Sequence, residues 1–541
     1  MTTEALNHNL ELPVSRIPTH VLSQVFCIIR DEVTNILVTN PWIHPAHYQP
    51  VSWNAVTQVC HTWREVAIDT PMLWTDIILS VLPGGHKWAK EMLYRSKQCP
   101  LVIIADFTPV GVQRIDSLIS VFDDMKASLA RCRALSLRGV DTSVLSSLSS
   151  GGDLSQLESL QITVERGASN MTILPGQDVQ ITLSGPTQGA SNITVVPHEF
   201  ISRAKSLRSL QIQDGDIHLH NPSLLNLTRL ALYRIPNLTV QSLVAALSRM
   251  SALGVLHLMG STLYADVAED NNVVTTSENR VFLKPISRLF LASNISSIDL
   301  FLQRVQLSPT CEVRLKAETD IHVASEFGQI FSWTSEHFRP PQTSDGTLHA
   351  TIPQNFLQSF CLYIGYNVVE VRAFYEVVSH DKLVDGSPIF ELIFGFTEAE
   401  PPEALLRSLL VSLPLSRIVF LEVSNALDSF DLYSAVWMEA FARIPTIKTI
   451  FLDASASGFF PLLHSPNFPF PNLTSITVND LDVCDEEILE SLRGRSNLDA
   501  PLKEILFSND RGLPPDDILH QLCEVVEHVG IHDFGVTLRD G

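Results

Sequence analysis

The residues best suited to covalent or metal chemistry are eight cysteines, at positions 27, 60, 99, 132, 311, 361, 484 and 523, and no two of them form a C-x-x-C pair. A zinc site or a dithiol centre needs thiolates at short, fixed spacing, so that two sulfurs reach one metal or each other. Scattered single cysteines are expected instead as small buried hydrophobes in a reducing compartment. His44 and His47 stand at H-x-x-H spacing in a proline-rich stretch without a neighbouring thiol or carboxylate, and two imidazoles do not complete a four-ligand shell. Asp480, Asp482, Asp485, Glu486 and Glu487 make an acidic cluster. It lacks the glycine turn and alternating oxygen ligands of a calcium loop, so it reads as negative charge at a helix N-terminus. The phosphate-cradling G-x-x-x-x-G-K-[ST], the G-x-S-x-G elbow, G-x-G-x-x-G and H-E-x-x-H are all missing from the sequence. No catalytic residue, metal or cofactor is assigned, and the expectation is a binding protein rather than an enzyme.

One charged pattern does recur. Arg208, Arg229, Arg288, Arg417, Lys448 and Lys503 fall between the first two apolar residues of a repeated hexamer. In a chain of formal net charge −22, a row of guanidinium groups on one face would suit an acidic or phosphorylated protein segment. Arg208, Arg229, Arg288 and Arg417 are therefore the candidate target-binding residues. The other reading is a solvated turn position that accepts any polar side chain.

The hexamer, apolar-x-x-apolar-x-apolar, is the element that would position them. It occurs at Leu157-Leu160-Ile162, Leu207-Leu210-Ile212, Leu227-Leu230-Leu232, Leu253-Leu256-Leu258, Ile286-Leu289-Leu291 and Ile295-Ile298-Leu300. It returns at Leu357-Phe360-Leu362, Ile389-Leu392-Phe394, Leu415-Ile418-Phe420, Ile447-Ile450-Leu452, Leu473-Ile476-Val478 and Leu502-Ile505-Phe507. The last residues alternate sides, as a short strand requires, which puts Leu230 inward and Ala231 outward. Polar helical stretches such as 482–493 fill the return path, and the spacing is near that of leucine-rich repeats. The pattern predicts an α/β chain in which an irregular leucine-rich-repeat-like solenoid occupies residues 77–541, with parallel strands on the concave face and helices outside. Insertions are expected near 165–200 and 302–350.

The N-terminal part follows a different period. Val21, Leu22, Val25, Phe26 and Ile29 form one apolar helical face, and Pro18 suits its first turn. Residues 40–50, with three prolines, read as a loop. Ser52 can cap a second helix carrying Ala55, Val56, Val59, Cys60, Trp63, Val66 and Ala67. Two such helices make a small core that needs a partner or the rest of the chain to complete it.

This segment, taken as residues 12–76, resembles the F-box motif in the form common in mushroom-forming fungi. Ile17-Pro18 take the place of the family's Leu-Pro, Val21-Leu22 of its Ile-Leu, and Val25-Phe26 of its Ile-Phe. Val59-Cys60, Trp63-Arg64 and Pro71-Met72-Leu73-Trp74 match the second half with spacing intact, and Met92–Ile103 is similar to the family's first repeat. His20 departs from the usual Glu, and the loop between the two helices is long. The resemblance implies a substrate-recruiting subunit of a Skp–cullin–F-box ubiquitin ligase. A Skp-type adaptor, and through it a cullin, would dock on Ile17, Pro18, Val21, Leu22, Val25, Phe26, Val59, Cys60, Trp63 and Trp74, and the repeats would hold a target protein. A repeat scaffold independent of any ligase is the alternative.

Composition narrows the partners. The chain has 541 residues, 45% of them hydrophobic and 18% charged, enough apolar material for a large core. With a net charge of −22 and no long basic block, neither nucleic acid nor an acidic membrane surface is an expected partner. No basic-then-apolar N-terminal leader and no 18-residue apolar run is visible, so a cytoplasmic or nuclear location is expected.

Overall fold

Helix α1 (Thr19–Thr39) opens the first unit. The carbonyl of Pro18 accepts from the N–H groups of Val21 and Leu22 at 3.0 and 3.1 Å. Pro18 thus stands just ahead of the helix, where its missing N–H removes no bond. The computed structural model describes residues 16–39, 54–79, 85–107, 126–164, 194–264, 280–318, 327–338, 356–365, 368–378, 388–395, 403–425, 436, 439–440, 444–454, 459–464, 470–479, 485–498, 500–508 and 514–532. His44, His47, Ser52, Asp480, Asp482 and Cys484, singled out above, lie outside them, as does most of the expected 165–200 insertion.

The second predicted helix is two. α2 (Val56–Val59) and α3 (His61–Ile68) are separated by Cys60, which is extended at φ −156° and ψ 173°. Its Sγ accepts from the Trp63 N–H at 3.5 Å, so Cys60 occupies the N-cap of α3. Apolar periodicity runs straight through such a break, because it records side-chain spacing and not backbone angle. A 3-10 turn, Pro71–Trp74, follows, and leads into β1 (Asp76–Leu79).

The remainder of this unit alternates strands and helices: α4 (Gly85–Arg95), β2 (Leu101–Asp106), β3 (Cys132–Val140), α5 (Thr142–Ser149), β4 (Ser159–Val164), α6 (His198–Ser202), β5 (Ser209–Gln213) and β6 (Arg229–Tyr233). β1 to β6 pair in sequence order, all parallel. Their inward rows are in register: Ile77, Ile103, Leu135, Leu160, Leu210 and Leu230 form one, and all are buried. The expected inward position of Leu230 holds. Ala231, expected outward, is only 2% exposed; a methyl group at an outer-face position is too short to reach out of its neighbours.

The second unit comprises residues 238–248 and 254–541. It begins with α7 (Val240–Leu247), β7 (Val255–Met259), β8 (Val281–Leu283), β9 (Arg288–Asn294), α8 (Ile295–Arg304), β10 (Val305–Leu307), β11 (Glu312–Glu318) and α9 (Phe327–His337). Then come β12 (Ser359–Gly365), β13 (Val368–Phe374), β14 (Phe390–Gly395), α10 (Glu403–Ser412), β15 (Phe420–Asn425), β16 (Thr449–Ala454), α11 (Phe460–Leu463) and β17 (Ser475–Asn479). α12 (Asp485–Ser496), β18 (Glu504–Ser508), α13 (Asp516–Val525) and β19 (His528–His532) end it. Its strands run in the order β7, β9, β11, β14, β13, β12, β15, β16, β17, β18, β19, parallel except for β13, which is antiparallel to both neighbours. β8 and β10 form a separate parallel pair. The protein is thus mixed α/β, its sheets large and mostly parallel.

A shared backbone device marks equivalent strand starts. The Arg208 carbonyl accepts from both Thr228 and Arg229 N–H (2.7 and 3.0 Å), Gly254 from Ser287 and Arg288, Val419 from Lys448 and Thr449, and Lys448 from Thr474 and Ser475. The hydroxyls of Thr228, Ser287 and Thr474 reach the same carbonyls at 3.1, 3.0 and 3.1 Å. This phase corrects one hexamer. Leu421 and Val423 align with Ile450 and Leu452, so the repeat there is Ile418-Leu421-Val423, three residues after the assigned Leu415-Ile418-Phe420.

Two further expectations change. Ile295-Ile298-Leu300 is helix α8, started by the Asn294 side chain accepting from the Ser297 N–H; Ile295, Ile298, Phe301 and Leu302 point into the core at helical spacing. The supposed insertion at 302–350 contains β10, β11 and α9. β11 escaped notice because its outward residues, Glu312, Arg314 and Lys316, are charged, leaving only Val313, Leu315 and Ala317 as apolar signal.

Arginines anchor turns in each unit. Arg131 donates to the carbonyls of Cys99 (2.8 Å) and Leu93 (3.3 Å), Arg203 to those of Ser149 (2.7 Å), Leu148 and Gly151, and buried Arg495 to that of Phe470 (2.7 Å). Carbonyls at a helix C-terminus have no partner inside the helix, and a guanidinium fork satisfies several at once. Burial lowers the pKa of Arg495 to about 10, so it stays charged at neutral pH. Arg203→Met is expected to destabilise the protein by about 2 kcal/mol, read from urea unfolding; an unchanged midpoint would show that water replaces the guanidinium at the end of α5.

Candidate interaction surfaces

The N-terminal helices divide their apolar residues between core and surface. Leu22, Phe26 and Trp74 are buried. Phe26 meets the Trp63 ring at 5.1 Å, and Trp74 donates its indole N–H to the Ala67 carbonyl at 2.8 Å while its ring faces Trp88 and lies under Arg95. These three hold the module together and are not free docking groups; Cys60 is a cap. Val21 and Trp63 are half-buried, and Ile17 and Pro18 are exposed. Val25 and Val59 are 42% and 58% exposed. Ile28, one turn beyond Val25, is 60% exposed, and Ile68 and Met72 are exposed as well. The sequence reading missed Ile28, Ile68 and Met72, although the helical spacing of Val25 and Ile28 was visible.

It also missed Arg30. This buried side chain donates to Thr75 Oγ1 at 3.0 Å and to the Met72 carbonyl, and pairs with Asp31 and, at 3.7 Å, Asp76. It fastens α1 to the turn that feeds β1.

The arginine row does not assemble. Ser209, not Arg208, is the register partner of Arg229; both arginines are exposed, without an ion pair among the described residues. Arg208, Lys448 and Lys503 precede their strands, at the position where Thr228, Ser287 and Thr474 bend back to the preceding carbonyl. Arg417 lies outside its corrected hexamer, its guanidinium 3.5 Å from the centre of the Phe356 ring. Arg288 pairs with Glu312 at 3.1 Å.

Arg288 is one end of a charge ladder across the outer face of the second unit's sheet. Glu312 also pairs with Arg314 (2.7 Å), Arg314 with Glu391 (3.7 Å), Glu391 with Arg372 (3.3 Å), and Arg372 with Glu370 (2.5 Å). Parallel and antiparallel registers place these residues side by side on β9, β11, β14 and β13. Opposite charges on adjacent strands stabilise such a face by a few tenths of a kcal/mol per pair (roughly 0.2–1).

Beyond Arg372 the face forms a cleft of about 320 Å³, lined by Cys361, Tyr363, Glu370, Arg372, Glu422, Ser424 and Asp453. Next to it the chain covers its own sheet. Ser359 Oγ donates to the Glu376 carbonyl at 2.8 Å and accepts from the Val378 N–H at 2.9 Å, seating Val378 against Cys361, Phe374, Phe420 and Phe451. Burial, reinforced by the Glu422 carboxylate to which it is hydrogen-bonded, raises the Cys361 thiol well above its usual pKa. Cys361 is therefore a neutral thiol and no nucleophile.

His337 at the end of α9 stacks on Trp333 at 4.8 Å, and its buried Nε2 has no hydrogen-bond partner among the described residues. Desolvation lowers its pKa from 6.5 to about 4. The unfolded chain therefore takes up this proton first. Stability from this residue is present above pH 6.5 and falls between 6.5 and 4, by up to about 1.4 kcal/mol per pH unit. His337→Phe is expected to flatten the wild-type loss of melting temperature between pH 6.5 and 4.5; identical slopes would show that the imidazole is protonated in the folded protein.

No protein-family model matches the chain, and no curated protein matches it. The fold and surfaces define a mixed α/β protein that combines large, mostly parallel sheets with helices. Among the described residues no group of three or more His, Cys, Asp or Glu is placed to hold a metal ion, and no helix is long and apolar enough to cross a membrane.

Proposed function

We propose that this chain is an F-box protein, the substrate-recruiting subunit of a Skp–cullin–F-box ubiquitin ligase, with a leucine-rich-repeat-like solenoid as its target-binding part. The observation that carries the reading is the N-terminal module: at the positions that resemble the F-box motif, Leu22, Phe26 and Trp74 form a core while Val25 and Val59, with Ile28 and Met72, remain exposed. Exposed apolar side chains on a small helical module suit a partner helix surface. Repeated parallel strands with a common start geometry support the solenoid. The chain would contribute binding and no chemistry, and would act in the cytoplasm or nucleus.

One observation favours the alternative of a ligase-independent scaffold. Arg30 ties α1 to Thr75 and Asp76 at the start of β1, which is how a helical cap on the first strand would be held. Co-expression with a Skp-type adaptor separates the two. The ligase reading expects the full chain to co-purify with the adaptor in a 1:1 complex, and monomeric chain from the same lysate would favour the cap.

A further inference from the structure

We draw no further inference here: the strongest candidate, the surface patch on α4 that carries exposed Lys87, Trp88 and Tyr94, carries nothing because nothing in the structure shows what covers it.

Discussion

Leu230→Asp is expected to unfold the first unit or to destabilise it by more than about 3 kcal/mol. Leu230 is fully buried in the inward row that runs from Ile77 through Leu160 and Leu210. A carboxylate there would stand in a buried row of apolar side chains and would remove apolar burial from it. The proper comparison is Ser209→Asp, one strand away on the outer face. Ser209 is half-buried and stands in register with exposed Arg229, so the new charge gains an opposite neighbour, and the change is expected to lie within about 0.5 kcal/mol of neutral. Ala231→Asp would be a poor control, because Ala231 is itself buried. Urea midpoints of the two variants measure the difference; equal losses would mean that the two faces of these strands are not distinguished as the register requires.

The same strands show what the sequence could disclose. A buried row of large aliphatic residues spaced for a strand is legible because leucine and isoleucine carry the whole signal at β4, β5, β6, β7 and β9. Cys132-Leu135-Leu137 in β3 follows the same template, with a cysteine where leucine was sought. β13 was hidden by its direction, since an antiparallel strand inserted between β12 and β14 adds no new step to the repeat. β11 was hidden by its charges, which pair with one another and with neighbours on other strands. For the same reason the charge ladder and the cleft were invisible. Arg314, Glu391 and Arg372 are far apart in the chain, and only the register brings their signs into alternation. The arginine row failed for the converse reason: similar places in sequence differ by one residue in register, and one residue changes the face.

The N-terminal surface gives the other large expected effect. Val25→Asp combined with Val59→Asp is expected to abolish co-purification with a Skp-type adaptor while the thermal midpoint stays close to that of the wild type. Both valines are largely exposed, so the substitutions remove little from the core. Burying the exposed halves of two valines against a partner contributes roughly 1 kcal/mol each, a carboxylate facing an apolar partner surface costs at least about 1 kcal/mol more at each site, and each 1.4 kcal/mol is about tenfold in affinity, so a loss of at least about 100-fold is expected. Phe26→Asp must be run separately. It places a charge in the core against Trp63, and should lose adaptor binding by unfolding the helices, which far-ultraviolet circular dichroism and melting will show. The two modes of loss discriminate between the readings. If the folded double variant loses the adaptor, the exposed valines are the contact. If it still binds at wild-type affinity, the N-terminal helices serve as a cap for β1 through Arg30, and any ligase contact lies elsewhere on the chain.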